Sequence, residues 1–201
     1  MIADGHRAGE IIGRIRALAK KAPPQKDWLD LNKTIGEVIA IAGSAVQRNR
    51  VLLQTQLAND LPLILGDRVQ LQQVILNLLI NAIEAMSGVS EGQRELWVSS
   101  QKVTELSVES EEDTLEDKAL ADAECTHVLI AVRDSGPGLD PKGLARLFDA
   151  FYTTKPQGLG MGLAISRSII EAHGGRLWAT ANAPKGAIFQ FALPICDRRM
   201  S

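Results

Sequence analysis

The sequence predicts an α+β fold: a two-layer sandwich of one mixed β-sheet and one helical layer, preceded by an N-terminal helix. Three observations lead there. Segments with helical apolar spacing are interleaved with short alternating segments that suit strands. The closing strands are joined by a tight turn sequence, Ala183-Pro184-Lys185-Gly186, which implies hairpin pairing and so a sheet with antiparallel members. The length of 201 residues, with 45% hydrophobic and 23% charged residues, suits one ordinary domain and a short appendage.

Residues 4–22 carry one helical stripe, Ala8, Ile11, Ile12, Ile15, Leu18 and Ala22, with Arg7, Arg14, Lys20 and Lys21 elsewhere on the circumference. Pro23-Pro24 ends that helix, because a proline pushes the preceding residue out of the α region. One such helix cannot bury its stripe alone. It needs a partner helix, a second copy of itself, or the following domain.

A helix is expected over 31–47, then a strand over 51–57 and a short strand over 63–65. Gly66-Asp67 supplies a turn and an N-cap for a helix running to Met86. Strands follow at 95–104 and 126–133. A helix spans 162–173, stopped by Gly174-Gly175, and strands at 176–181 and 187–193 close the chain. Between the two middle strands, residues 105–124 hold nine acidic residues and one lysine. They read as a solvated insertion, and removing them leaves 15 acidic against 21 basic residues in the remainder.

Composition excludes several classes. Twenty-two Lys and Arg against 24 Asp and Glu give a net charge of −2, with no basic excess for nucleic acid. Cys125 and Cys196 have no metal-ligand spacing and read as reduced thiols of a cytoplasmic protein. The longest apolar run, residues 74–83, is interrupted by Asn77 and Asn81, and the N-terminus lacks a signal-peptide core, so no membrane contact is expected of this chain. Residues 1–22 read as the end of something longer.

Three motifs carry chemistry. Along helix 67–86 the apolar residues cover most of the circumference and leave a narrow polar strip, Gln70, Gln73, Asn77, Asn81 and Glu84. A helix so apolar belongs in a core, so the strip must line a cleft or bond to neighbouring backbone. An Asn carbonyl there could also ligate a hard cation. Asp134-Ser135-Gly136-Pro137-Gly138 ends an apolar strand. It reads either as a plain turn or as an aspartate accepting from an exocyclic amine, with glycines that let backbone approach a flat ring. Gly158-Leu159-Gly160-Met161-Gly162-Leu163 opens a helix, where inward N–H groups and the macrodipole favour an anion. Lys155 reads either as the cation for a terminal phosphate or as a surface lysine, and Phe148 and Phe151 are expected to be core anchors at the base of this loop.

In this order and spacing, the motifs resemble the catalytic ATP-binding domain of two-component sensor histidine kinases, within the superfamily shared with DNA gyrase and the mismatch-repair ATPases. The match covers residues 59–195. Residues 72–82 resemble the kinases' N box, 134–138 and 158–162 the two glycine boxes, and 148–151 the F box; Ala172-His173-Gly174-Gly175 is also typical. The resemblance implies ATP and Mg2+ as cofactors, with Asn81 as metal ligand and Asn77 beside it as a catalytic residue with Lys155. It further implies Asp134, Gly136 and Gly138 at the adenine, and Thr154, Lys155, Gly158, Gly160, Met161, Gly162 and Leu163 at the phosphates. Residues 149–159 would form a lid.

By the same resemblance, residues 1–24 are part of a dimerisation and phosphoacceptor hairpin with its linker, and residues 25–201 are the ATP-binding domain. The implied partners are a phosphoacceptor histidine helix of the same kinase and a response regulator, with a homodimer in the full protein. His6, His127 and His173 are poor acceptors. Glu84 stands where the kinases often carry a phosphate-binding lysine, and Gly186-Ala187 where a hydroxyl residue often assists the adenine. Two readings compete: an anti-sigma-type serine kinase of the same superfamily, and a regulatory nucleotide-binding module.

Overall fold

The computed structural model describes residues 26–89, 92–104, 126–153 and 159–195. The expected N-terminal helix with His6, the acidic insertion, both cysteines, Thr154, Lys155 and Gly158 lie outside the described residues. The elements run β1 (Asp27–Leu29), α1 (Leu31–Arg48), β2 (Val51–Leu57), β3 (Ile64–Gly66), α2 (Arg68–Met86), β4 (Arg94–Val103), β5 (His127–Asp134), α3 (Pro141–Leu144), α4 (Gly162–Ala172), β6 (Arg176–Ala181) and β7 (Ala187–Pro194).

Five strands form one mixed sheet in the order β2-β4-β5-β7-β6, and β1 pairs with β3 in a separate two-stranded sheet. Only β2–β4 is parallel, with Val51 opposite Arg94; the other neighbours are antiparallel. One face of the five-stranded sheet carries Leu96, Val98, Val128, Ile130, Val132, Phe189 and Phe191 into the core, where α1, α2 and α4 cover it. The two-layer sandwich expected from the alternation is therefore present. The small β1–β3 sheet is an addition that the sequence did not announce.

Helix α2 is the central beam. Asp67 caps it, its carboxylate accepting from the N–H groups of Val69 at 2.9 Å and Gln70 at 3.1 Å. Leu71, Val74, Ile75, Leu78, Leu79, Ala82, Ile83 and Met86 are buried along it, each of these side chains larger than alanine stabilising the fold by roughly 1.5–3 kcal/mol. By length and composition alone this helix would pass as a membrane span; those buried residues make it the axis of the packed core. Helix α1 is likewise closed by an aspartate, Asp30, which accepts from Lys33 N–H at 3.1 Å. Arg68 joins α2 to α1 through Glu37, and the guanidinium holds that carboxyl below its ordinary range.

Candidate nucleotide site

The polar strip of α2 is half-buried at Gln70, Gln73, Asn77 and Asn81 and exposed at Glu84. Asn77 faces α4: its amide nitrogen donates to Ser166 Oγ at 3.0 Å, and a Cβ on Gly162 would stand 2.5 Å from its Oδ1. Eight residues on, Ala85 lies against the turn after β5, 3.5 Å from where a Cβ on Gly136 would sit. Asn77, Asn81 and Ala85 follow one another at intervals of four on one stripe of α2. One end of that stripe therefore meets the loop opening α4 and the other meets the turn after β5, about 12 Å apart along the axis. Asn81 stands between them.

At the β5 end, Asp134 is 2% exposed. Gly136 N–H donates to its Oδ1 at 2.8 Å and Ala187 N–H to the same oxygen at 3.3 Å, so Oδ2 takes neither bond. Burial raises its carboxyl pKa above the ordinary value of 3.8, and the two backbone donors oppose that rise. Gly136 is small for a reason other than ring access: a Cβ there would stand 2.8 Å from Asp134 Oδ1. Gly138 has φ +92° and backs onto the carbonyl of Gly186. Ala187 thus carries no hydroxyl, but its N–H holds the aspartate.

At the α4 end, Phe151 N–H donates to Gly160 O at 2.9 Å, closing the base of the intervening segment. Gly160 adopts φ +64°, and a Cβ there would stand 2.5 Å from the Phe151 carbonyl carbon. Met161 precedes α4 as its N-cap residue, and its side chain makes no cap bond to the first N–H groups of that helix among the described residues. Phe148 packs against the core under the Arg167 guanidinium. Phe151, expected as a second core anchor, is instead 74% exposed with φ +69°. The turn that brings its N–H to Gly160 points its side chain outward.

Two residues shape the slot in ways that composition and spacing did not show. Ser166 is buried and holds Asn77. His173 is buried and bonded at both ring nitrogens: Nε2 accepts from Asp67 N–H at 2.9 Å, and Nδ1 donates to Ile169 O at 2.7 Å. It therefore pins the end of α4 to the start of α2. Its sequence signal was its place before Gly174-Gly175, where Gly174 takes φ +74° as the helix stop. Lys26 caps the same end, donating to Ala172 O at 3.0 Å.

A beam helix under a mixed sheet, with glycine turns meeting it at two points, defines an α+β sandwich of the histidine kinase ATPase type. The catalytic domain of the histidine kinase ThkA shares this fold with a TM-score of 0.64 at 29% identity, covering 85% of this chain and 95% of that one. ThkA in complex with the response regulator protein TrrA gives 0.70 at 26% identity, covering 97% of this chain and 49% of that one. Sensor protein FixL of Bradyrhizobium diazoefficiens is 39% identical over 191 residues, 95% of this chain and 34% of its own length. Sensor histidine kinase TmoS of Ectopseudomonas mendocina is 37% identical over 195 residues, 97% of this chain and 18% of its own length.

Residues 66–197 match the family of histidine kinase-, DNA gyrase B- and HSP90-like ATPases. The chain belongs to that family, and its catalytic ATPase domain is of the sensor histidine kinase type. It spans about a third of the length of FixL and about a fifth of that of TmoS.

Proposed function

We propose that the full protein phosphorylates a histidine from Mg-ATP bound in the slot along α2, and passes the phosphoryl group to a response regulator. The observation that carries this reading is Asp134: its Oδ1 is held by two backbone N–H groups, which leaves Oδ2 to accept from the exocyclic amine of adenine. From there the nucleotide runs along the Asn81 side of α2 to the uncapped start of α4. N–H groups from Gly160 to Leu163, with Thr154, Lys155 and Gly158, bind the phosphates. Asn77 orders that helix through Ser166 and acts by positioning.

Among the described residues no three His, Cys, Asp or Glu side chains cluster as metal ligands. An amide oxygen is a hard donor, and Asn81 would supply one to a magnesium ion bound with the nucleotide. When bound, the ion neutralises phosphate charge. In the transfer, a histidine nitrogen bonds to the γ-phosphorus as the bond to the β–γ bridging oxygen breaks, releasing ADP. The protein's share is positioning and charge stabilisation.

The acceptor belongs to a dimerisation helix of the same kinase, residues 1–24 being part of that hairpin, and the full kinase works as a homodimer with this domain in the cytoplasm. His173 is no acceptor, since both its nitrogens are engaged, and His127 is the first residue of β5. The test is calorimetry with ADP and magnesium. Wild type binds, and Asp134→Ala binds roughly 10- to 100-fold more weakly, the worth of one hydrogen bond to a charged group. Equal binding by both would refute the reading. Labelled ATP should leave no acid-labile label on residues 1–201 alone.

A further inference from the structure

The hairpin between β6 and β7 holds a side chain that the kinase reading leaves unused. Asn182 is half-buried at the end of β6. Its Nδ2 donates to the main-chain carbonyl of Asp134 at 3.0 Å and to Lys185 O at 3.1 Å, while its own N–H donates to Gly186 O at 3.0 Å. One side chain thereby ties the turn to itself and to the end of β5. The turn is pressed so close that any Cβ on Gly186 would overlap the Asp134 carbonyl, and Gly186 takes φ +115°.

The next residue is Ala187, whose N–H reaches Asp134 Oδ1 at 3.3 Å. That bond is at the long end of the useful range, so a small retreat of the turn removes it. Asp134 would then keep only the Gly136 donor, and its carboxylate could rotate about the strand end. The direction of Oδ2 depends on both donors.

We propose that Asn182 is a positioning residue for base selection: by clamping the β6–β7 turn onto β5 it aims Asp134 Oδ2 at a 6-amino purine and against a 6-oxo purine. A carboxylate oxygen aimed at an amine is met by a donor, whereas the same oxygen aimed at a carbonyl meets a second acceptor. The proposal rests on the adenine reading of Asp134 given above. Asn182 touches no ligand in it and acts only through the aspartate.

The experiment compares ADP with inosine diphosphate, in magnesium, by calorimetry on wild type, Asn182→Ala and Asn182→Ser. Wild type prefers ADP. Asn182→Ala loses about 10-fold in ADP affinity, the worth of one such bond, and keeps its inosine diphosphate affinity, so the preference collapses. Asn182→Ser, whose hydroxyl can donate to one carbonyl, retains an intermediate preference and serves if the alanine variant fails to fold. Parallel loss of both nucleotides, or an unchanged ratio, overturns the assignment of Asn182 while leaving the adenine reading standing. A wild type that binds ADP no better than inosine diphosphate overturns the adenine reading, and this proposal with it.

Discussion

The two ends of the slot are built on opposite principles. At the β5 end polar groups are paired within the protein: Gly136 and Ala187 N–H with Asp134 Oδ1, and Asn182 with the Asp134 and Lys185 carbonyls. At the α4 end the helix starts on Met161 with no side-chain cap, whereas α1 and α2 are closed by Asp30 and Asp67. Leu159 and Phe151 are exposed beside it. On the reading proposed above, a flat base would be recognised by one acceptor that must not move, which agrees with the surrounding groups holding Asp134. On the same reading a phosphate chain would be recognised by donors that must stay available, which agrees with a helix start that Met161 does not cap.

The sharpest way to break that comparison is at the rigid end. Gly186→Ala places a Cβ into the Asp134 carbonyl at a left-handed φ. It should cost about 2–3 kcal/mol of stability, lowering the melting midpoint by roughly 5–10 °C. An unchanged midpoint in thermal denaturation followed by circular dichroism would show that the turn can retreat freely.

Next in size is Gly162→Ala. The new methyl meets the end of the Asn77 side chain, which can swing away only by giving up Ser166. Nucleotide affinity should fall roughly 10-fold, for about 1 kcal/mol of stability. If stability drops by far more and affinity not at all, Gly162 is a packing residue only.

A paired test of the helix starts is smaller and sharper. Asp67→Ala should lower stability by about 1 kcal/mol and leave nucleotide affinity alone. On the proposed reading Met161→Asp should do the reverse, raising stability by roughly 0.5–1 kcal/mol while weakening ADP binding, because a carboxylate there would cap the first N–H groups and repel phosphate. Denaturant titration and calorimetry read both, and a Met161→Asp variant that binds ADP normally would remove the phosphate role of α4.

The smallest effect is the pH dependence. The folded protein keeps the Asp134 proton to higher pH than the unfolded chain does. Its contribution to stability is therefore full below the ordinary aspartate range and declines as pH rises through the raised value. Nucleotide affinity moves the other way, because only the ionised carboxylate offers Oδ2 as an acceptor. ADP titrations from about pH 4 upward should show affinity rising toward neutrality in wild type and nearly flat in Asp134→Ala.

Much of this was legible in the chain. Helix α2 could be read to within a residue because Asp67 announces its start and the apolar spacing leaves only the Asn77–Asn81 strip polar. The strands from 94 to 103 and 127 to 134 were placed to within a residue as well, since burial alternates along them. By contrast β1 has three residues and no alternation to detect; it exists because Trp28 finds Leu65 opposite it. Phe151 misled because an aromatic residue beside a glycine loop reads as an anchor, and only the turn's dihedral sends it outward.

By itself the sequence determined the sandwich, the beam helix, its Asp67 cap and the order of the two glycine turns, because periodicity and turn chemistry are local properties. Tertiary structure alone decided that β2 runs parallel to β4, that His173 ties α4 to Asp67, that Ser166 holds Asn77, and that Asn182 clamps the strand bearing Asp134. Those bonds join residues 48 to 106 positions apart, and the 2.9–3.0 Å separations on which they depend arise only once the core has packed.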